Sequence, residues 1–438
     1  MYEETSVFGR DDLMGCDDGS AEDPSVPYND TKVTAGASML SSSAAAVVPQ
    51  SVQSTQQQQQ QQQQSSHGSR LSGGHLYNSR NIETQERNGN DDGGSRASSR
   101  QDTEEEEVFV DEFGFVVDEE EKNRELLYVK NINGKKVVRR EVKWANMASD
   151  WDNVNTKRHD KLKERCRKGI PARLRGVAWQ LLLGSRKQML DPANIGTYEC
   201  LRTKELSDEE LSGVIGRDLA RTFPKHILFR EEGGVGQTFL RNVLHAYASV
   251  DPEVGYVQGM GFVVGALSTQ MGEEETFWAL HALMHNDRYK LREMYRPGFP
   301  MLQQFFYQLR QLMMRLLPRL YQRFDTIGID PSFYASQWFL TLFVYHFQFR
   351  ALLRIWDIFI SEGWKVIFRV SIALMKWEEK RLLELQFEEI LPALKSLHEG
   401  KDPDEIVRRA QSVKFKTAEL NAYAEEYWRL QNANGQFN

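Results

Sequence analysis

Ser207-Asp-Glu-Glu-Leu-Ser-Gly-Val-Ile-Gly-Arg-Asp-Leu-Ala-Arg221 is the stretch around which the rest of this 438-residue chain is read. Ser207 and Glu210 have the spacing of a capping box, and Leu211, Val214 and Ile215 follow as an apolar stripe at helical period. The next position on that stripe is Asp218, and one turn later comes Arg221. Carboxylates and guanidinium groups are seldom buried without a partner, so this helix end must satisfy both groups or use them. A second polar residue stands out further on. Tyr256-Val257-Gln258-Gly259 follows the loop signal Asp251-Pro252-Glu253 and lies in a run of 19 uncharged residues, Val254 to Gly272. Two or three short helices are predicted between Ser207 and Met271, with Gln258 at the mouth of an apolar segment.

An Arg and a Gln, each on a helix edge, are side chains that GTP hydrolysis can use. Arg is planar, permanently charged and bidentate, which suits charge developing on a transferring phosphoryl group. The Gln amide donates and accepts at once and can orient an attacking water. Taken singly, each has a bland reading as a capped helix end or a solvated amide. Together, Ile215-x-x-Asp218-x-x-Arg221 and Tyr256-x-Gln258-Gly259 resemble the paired finger motifs of TBC domains, the GTPase-activating proteins of Rab GTPases. Both match at every defining position, in the expected order and spacing. Lys168-Gly-Ile-Pro-Ala-Arg-Leu-Arg-Gly-Val-Ala-Trp179 resembles the opening motif of that domain, with Pro171 in the first helical turn and Leu174, Val177, Ala178 and Trp179 on the inner face. Ile355-Trp356-Asp357-x-Phe359 resembles a later one, and the resemblance runs from about Lys168 to about Leu397. The wording around Asp287-Arg-Tyr-Lys-Leu-Arg-Glu and Tyr334-Ala-Ser-x-Trp is nearest the ecotropic-viral-integration-site type. Proteins of that type continue into a coiled coil, and no contact made through one is carried over.

Composition divides the chain. Residues 1–107 hold 18 acidic against 7 basic residues, tracts of Ser, Gly and Asn, and a Gln run from Gln56 to Gln64. Such a segment cannot bury enough apolar area to offset its ordering entropy, and it is expected to be disordered. Residues 108–165 are expected to be an extension packing on the domain, 166–398 the TBC-type domain, and 399–438 a C-terminal helix (Pro403–Gln431). Within the extension, Val-Phe-Val, Phe-Gly-Phe-Val-Val and Glu-Leu-Leu-Tyr-Val, with a turn at Asn133-Gly134, suggest a short hairpin or extended arm. Trp144, Met147 and Trp151 then share one face of an amphipathic helix. The acidic opening, with Glu3, Glu4, Asp11 and Asp12, argues against a secretory or transit peptide. Cys16, Cys166 and Cys200 give no disulfide framework, which fits a reducing compartment.

Several chemical signals are weaker. Val254–Gly272 and Pro331–Phe349 are long enough to span a bilayer, but their Gln, Ser, Thr and His content favours buried helices, with the glycines allowing close approach. His281 and His285, at i and i+4, lack the third ligand of a zinc site. Gly233-Gly-Val-Gly236 lacks the Gly-Lys-Ser/Thr ending of a phosphate loop and reads as a turn capping a Phe239–Val250 helix. Basic and acidic residues are interspersed, which argues against a nucleic-acid partner.

The expected fold is all-α: a single large helical TBC-type domain with a disordered N-terminal tail. The resemblance implies a GTPase-activating protein for a GTP-bound Rab, regulating vesicle traffic, with Arg221 and Gln258 as the catalytic pair supplied in trans. Asp218 and Ile215 would fix the Arg221 helix end, the first by hydrogen bonds and the second by packing. Tyr256 and Gly259 would shape the turn that presents Gln258, with Tyr256 also touching the partner. Trp179 and Asp357 are structural. No cofactor or metal of its own is implied, GTP and Mg2+ being carried by the partner. The setting implied is cytoplasmic, at endomembrane surfaces reached through the Rab, with no transmembrane segment. Two other classes compete: a catalytically silent Rab-binding scaffold, and a membrane-embedded helical protein.

Overall fold

Two short helices carry almost no polar surface, and they mark the centre of the molecule. In the computed structural model, which describes residues 109–204 and 209–433, the helix Glu273–His285 buries every residue from Thr276 to Met284. Phe349–Glu362 buries all but three of its residues, among them Trp356 and Asp357. A helix that is apolar all round must be enclosed by others, and here amphipathic helices wrap these two. Val235–Val250 packs on Glu273–His285 and on Thr197–Thr203. Lys365–Trp377 packs on Phe349–Glu362 and on Pro403–Ser412, and Pro300–Leu316 packs on Thr417–Ala433. The domain is all-α: the described residues hold no named strand, only isolated β-bridges at Val110–Val116 and Phe115–His226. No described helix is long and apolar enough to cross a membrane.

Helix ends follow local chemistry. Asp118 accepts from Glu121 N at 2.8 Å ahead of Glu119–Lys130, and Asn133 accepts from Lys136 N at 3.1 Å ahead of Gly134–Ser149. Asp402 does the same for Glu405 N, with Pro403 in the first turn. The tail 1–107 and the Ser207 cap lie outside the described residues.

Six expectations are corrected. Glu125-Leu-Leu-Tyr-Val129 is helical, and Asn133-Gly134 opens a helix, because two Asx caps and three leading glutamates outweigh the β-branched signal. Trp144 and Met147 share a buried face, but the helix breaks at Asp150, so Trp151 begins a new one. On Ala172–Leu183 it is Arg175, rather than Val177, that turns inward. Pro331–Phe349 is no single helix: Pro331–Phe333 is a 3-10 turn, Ser336–Leu340 one short helix, and Leu342 and Phe343 are left-handed. At the C-terminus, Val413 and Phe415 are buried in alternation, the period of extended chain, and split Pro403–Gln431 into Pro403–Ser412 and Thr417–Ala433. The Gly233–Gly236 run also gives way earlier than expected, the helix starting at Val235.

Candidate functional site

The helix Glu209–Leu219 ends two residues before Arg221, and its last turn is held from inside. Ile215 is buried in the core, and Asp218, only 3% exposed, lies one turn beyond it. The Asp218 carboxylate accepts from three directions. Oδ1 takes Arg221 Nε and Nη2, each at 2.5 Å, while Oδ2 takes the Tyr256 hydroxyl and Gly259 N, the latter at 3.2 Å. The Asp218 main-chain carbonyl accepts from Thr222 Oγ1 at 2.8 Å. A buried carboxylate is tolerable because each oxygen has a donor and the guanidinium balances its charge. This single side chain therefore joins two motifs about 40 residues apart.

Both fingers of the sequence pattern meet at the surface. The Arg221 side chain is 35% exposed, and its two terminal nitrogens face the Gln258 amide. With the amide oxygen oriented toward the guanidinium, Gln258 accepts from Nη1 at 2.7 Å and also from Nη2. Gln258 precedes Gly259, whose φ of +107° is open to glycine and strained for other residues. That turn starts the helix Met260–Ser268 and points the amide back at Arg221. Tyr256 is buried, its hydroxyl spent on Asp218, so its ring faces inward rather than toward a partner. Behind the pair, Gly265 leaves room for the Phe223 ring; a Cβ there would lie 2.6 Å from Cε2.

Trp179 and Asp357 meet each other elsewhere in the core. Asp357, fully buried, accepts from Ile170 N at 2.7 Å, Trp179 Nε1 at 3.0 Å and Arg175 Nε at 3.1 Å. Burial pushes its carboxyl up, opposed by the Arg175 guanidinium and the Ile170 amide. The Trp179 ring packs on Trp356 at 5.6 Å. Sequence reasoning missed Arg175, although its position i+4 from Pro171 at the helix start was a usable signal. It also missed Thr222, which directly follows Arg221 and bonds the Asp218 carbonyl. His281 and His285 stack at 4.4 Å between ring centroids, and among the described residues no group of three or more His, Cys, Asp or Glu could hold a metal ion.

Residues 172–383 match the Rab-GTPase-TBC domain family. That segment of the chain is a TBC-type domain. The human ecotropic viral integration site 5 protein homolog is 36% identical over 287 residues, which is 65% of this chain and 34% of that protein. The Caenorhabditis elegans Rab GTPase-activating protein tbc-11 is 35% identical over 293 residues, 66% of this chain and 31% of that protein. The chain thus spans about a third of the length of these curated relatives. Among solved structures, the Chlamydomonas flagellar RabGAP TBC domain is 26% identical with a TM-score of 0.55, covering 69% of this chain and 99% of that one. The TBC match contains all eight sequence-predicted site residues, and five of them (Asp218, Arg221, Tyr256, Gln258 and Gly259) form one connected group.

Proposed function

We propose that this TBC domain accelerates GTP hydrolysis on a Rab-family small GTPase in its GTP-bound state, and so acts in vesicle traffic at endomembrane surfaces on the cytoplasmic side. The reading rests on one observation: a half-exposed Arg221 fork and the Gln258 amide lie against each other, with both held from behind by Asp218. Relatives named as Rab GTPase-activating proteins lend it support.

In this mechanism GTP and Mg2+ belong to the partner, and the chain supplies two side chains in trans. Arg221 keeps Asp218 as its counter-ion and exchanges the Gln258 amide oxygen for phosphate oxygens. The fork then meets negative charge as it develops on the γ-phosphoryl group. Gln258, released, accepts from a water with its amide oxygen and donates from its nitrogen, aiming the water's lone pair at the γ-phosphorus. The new bond joins that water oxygen to phosphorus, the bond to the β–γ bridging oxygen breaks with its electron pair staying on GDP, and a water proton passes to a phosphate oxygen, giving GDP and protonated phosphate. Because the two fingers pair with each other in the free protein, their polar groups stay satisfied until a nucleotide replaces that contact.

The test is single-turnover hydrolysis across a panel of GTP-loaded Rabs. An arginine supplied in trans is worth about 10³–10⁵ in rate, so Arg221→Ala should lose nearly all acceleration. Arg221→Lys should recover little, since it keeps the charge but not the fork. Affinity for a Rab bearing a non-hydrolysable GTP analogue should change far less, as expected for an interaction made in the transition state. Hydrolysis by Arg221→Ala within a few-fold of wild type would remove the finger assignment. A panel in which no Rab responds to wild type, while at least one binds it, would favour a Rab-binding scaffold instead.

A further inference from the structure

Arg221 is anchored by Asp218, and the chain that follows it packs against a segment that lies well upstream of the family match. Two residues after Arg221, Phe223 adopts φ +53°. A left-handed conformation at a residue with a Cβ is strained and persists only where packing over-determines it. The packing here is aromatic. The Phe223 ring meets Phe262 edge-on at 5.9 Å, Phe229 at 5.8 Å, Phe349 at 6.1 Å and Phe115 at 5.4 Å.

Phe115 belongs to a tight turn in which Asp111 Oδ1 accepts from both Phe113 N and Phe115 N at 2.9 Å. The turn docks on the chain that follows the finger. Val116 N donates to Lys225 O at 2.8 Å, Ile227 N donates to Gly114 O at 2.9 Å, and His226 Nε2 meets Phe113 O at 2.8 Å. His226 Nδ1 accepts from Leu228 N, so the proton sits on Nε2 and the imidazole is neutral. The far side of the turn is tied to the core: Arg350 pairs with Glu112 at 2.7 Å and lies over the Phe113 ring at 5.0 Å.

We infer that the arm Val110–Val116 is a clamp that positions Arg221 for the partner nucleotide, with Phe115 as its central residue. The inference rests on the finger reading above and goes beyond it, because it makes a segment outside the matched 172–383 span part of the working site. The physical reason is leverage. Bonds at Lys225, His226 and Ile227, together with the Phe115 edge, hold Phe223 in its strained conformation. If Phe223 relaxes to negative φ, the chain direction changes two residues from the guanidinium. A misplacement of about 1 Å in a positioned catalytic group can cost roughly 10²-fold in rate.

The experiment uses the full chain and two readouts. In the first, amide hydrogen exchange is followed over residues 219–229, with 273–285 as the control window. Phe115→Ala should speed exchange in the first window and leave the second unchanged, and the milder Phe115→Leu should fall between it and wild type. Unchanged exchange over 219–229 overturns the clamp whether or not any GTPase responds. In the second, single-turnover hydrolysis is measured on the Rab that responds best to wild type. Phe115→Ala should lower the saturating rate by about 10-fold or more, with affinity for the analogue-loaded Rab within about three-fold. In an Arg221→Ala background the same change should cost nothing further, because the arm acts only through that side chain. An equal loss in both backgrounds would make the arm general packing and overturn the positioning role. If no Rab responds to wild type, the proposed function falls, and the exchange result still decides the clamp.

Discussion

Asp218 shows how one buried charge can organise two exposed polar groups. It binds Arg221 Nε directly, and it fixes the Gln258 turn through Tyr256 and the Gly259 amide on either side. With Nε and Nη2 both on Asp218 Oδ1, the guanidinium plane is set, and the Gln258 contact is the one left to exchange. A change at Gln258 should therefore read out charge as well as water positioning. Gln258→Ala removes the amide, and losing one positioned donor costs about 10²–10³ in rate. Gln258→Glu should be worse. The new carboxylate would pair with Arg221 in the free protein and meet like charge at the phosphates. Single-turnover assays of the two variants side by side decide this, and equal rates would mean Gln258 does not approach the phosphates.

Elements are joined in this fold by buried polar bonds as well as by apolar faces. Asp357, on the helix Phe349–Glu362, gathers the Ile170 amide just ahead of the TBC match and the Arg175 guanidinium and Trp179 indole from its first helix. Arg175 also donates to Ile170 O at 2.8 Å, closing the network. Asp357→Ala would leave the buried Arg175 without its counter-charge and the Ile170 and Trp179 N–H donors without an acceptor. Removing one partner of a buried pair typically costs about 3–5 kcal/mol. The denaturant midpoint of Asp357→Ala should drop accordingly. At low temperature, where the variant is still folded, activity per folded molecule should match wild type, since Asp357 contacts no member of the Arg221–Gln258 group. A midpoint within experimental error of wild type would show that the network adds no net stability.

Acid should weaken the whole molecule, through histidines kept neutral by the core. Burial holds His281 and His346 down at about 3 and His398 at about 4, against 6.5 for an unperturbed imidazole. Repulsion from Lys395 beside His346 and Lys401 beside His398 adds to this, as does that from the protonated forms of His285 beside His281 and His398 beside His346. Because each folded-state value lies below the unfolded one, unfolding takes up protons as pH falls under 6.5. The stability they lend is complete above that point and declines toward the folded-state values. Each group contributes a slope of about 1.4 kcal/mol per pH unit in that window. Thermal melts should show the midpoint falling steadily from pH 7 to pH 5, and a flat midpoint over that range would contradict the assignment.

What the sequence determined by itself was whatever is local along the chain. The stripe Leu211, Val214, Ile215 and the positions of Asp218 and Arg221 follow from helical period, and Gln258 from its place at the head of an uncharged run. The all-α class followed from many such patterns together. Periodicity reports neighbours at three, four or seven residues, and it is silent about partners further off. Tertiary structure alone decided that Asp218 reaches across 38 residues to Tyr256, and that Asp357 reaches 187 to Ile170. It also decided the backbone at Phe223, Leu342 and Phe343, where left-handed φ values run against local preference and persist only because the surrounding aromatic core holds them. The same holds for Val110–Val116, whose sequence reads as a loose extended arm until the chain after Arg221 folds beneath it.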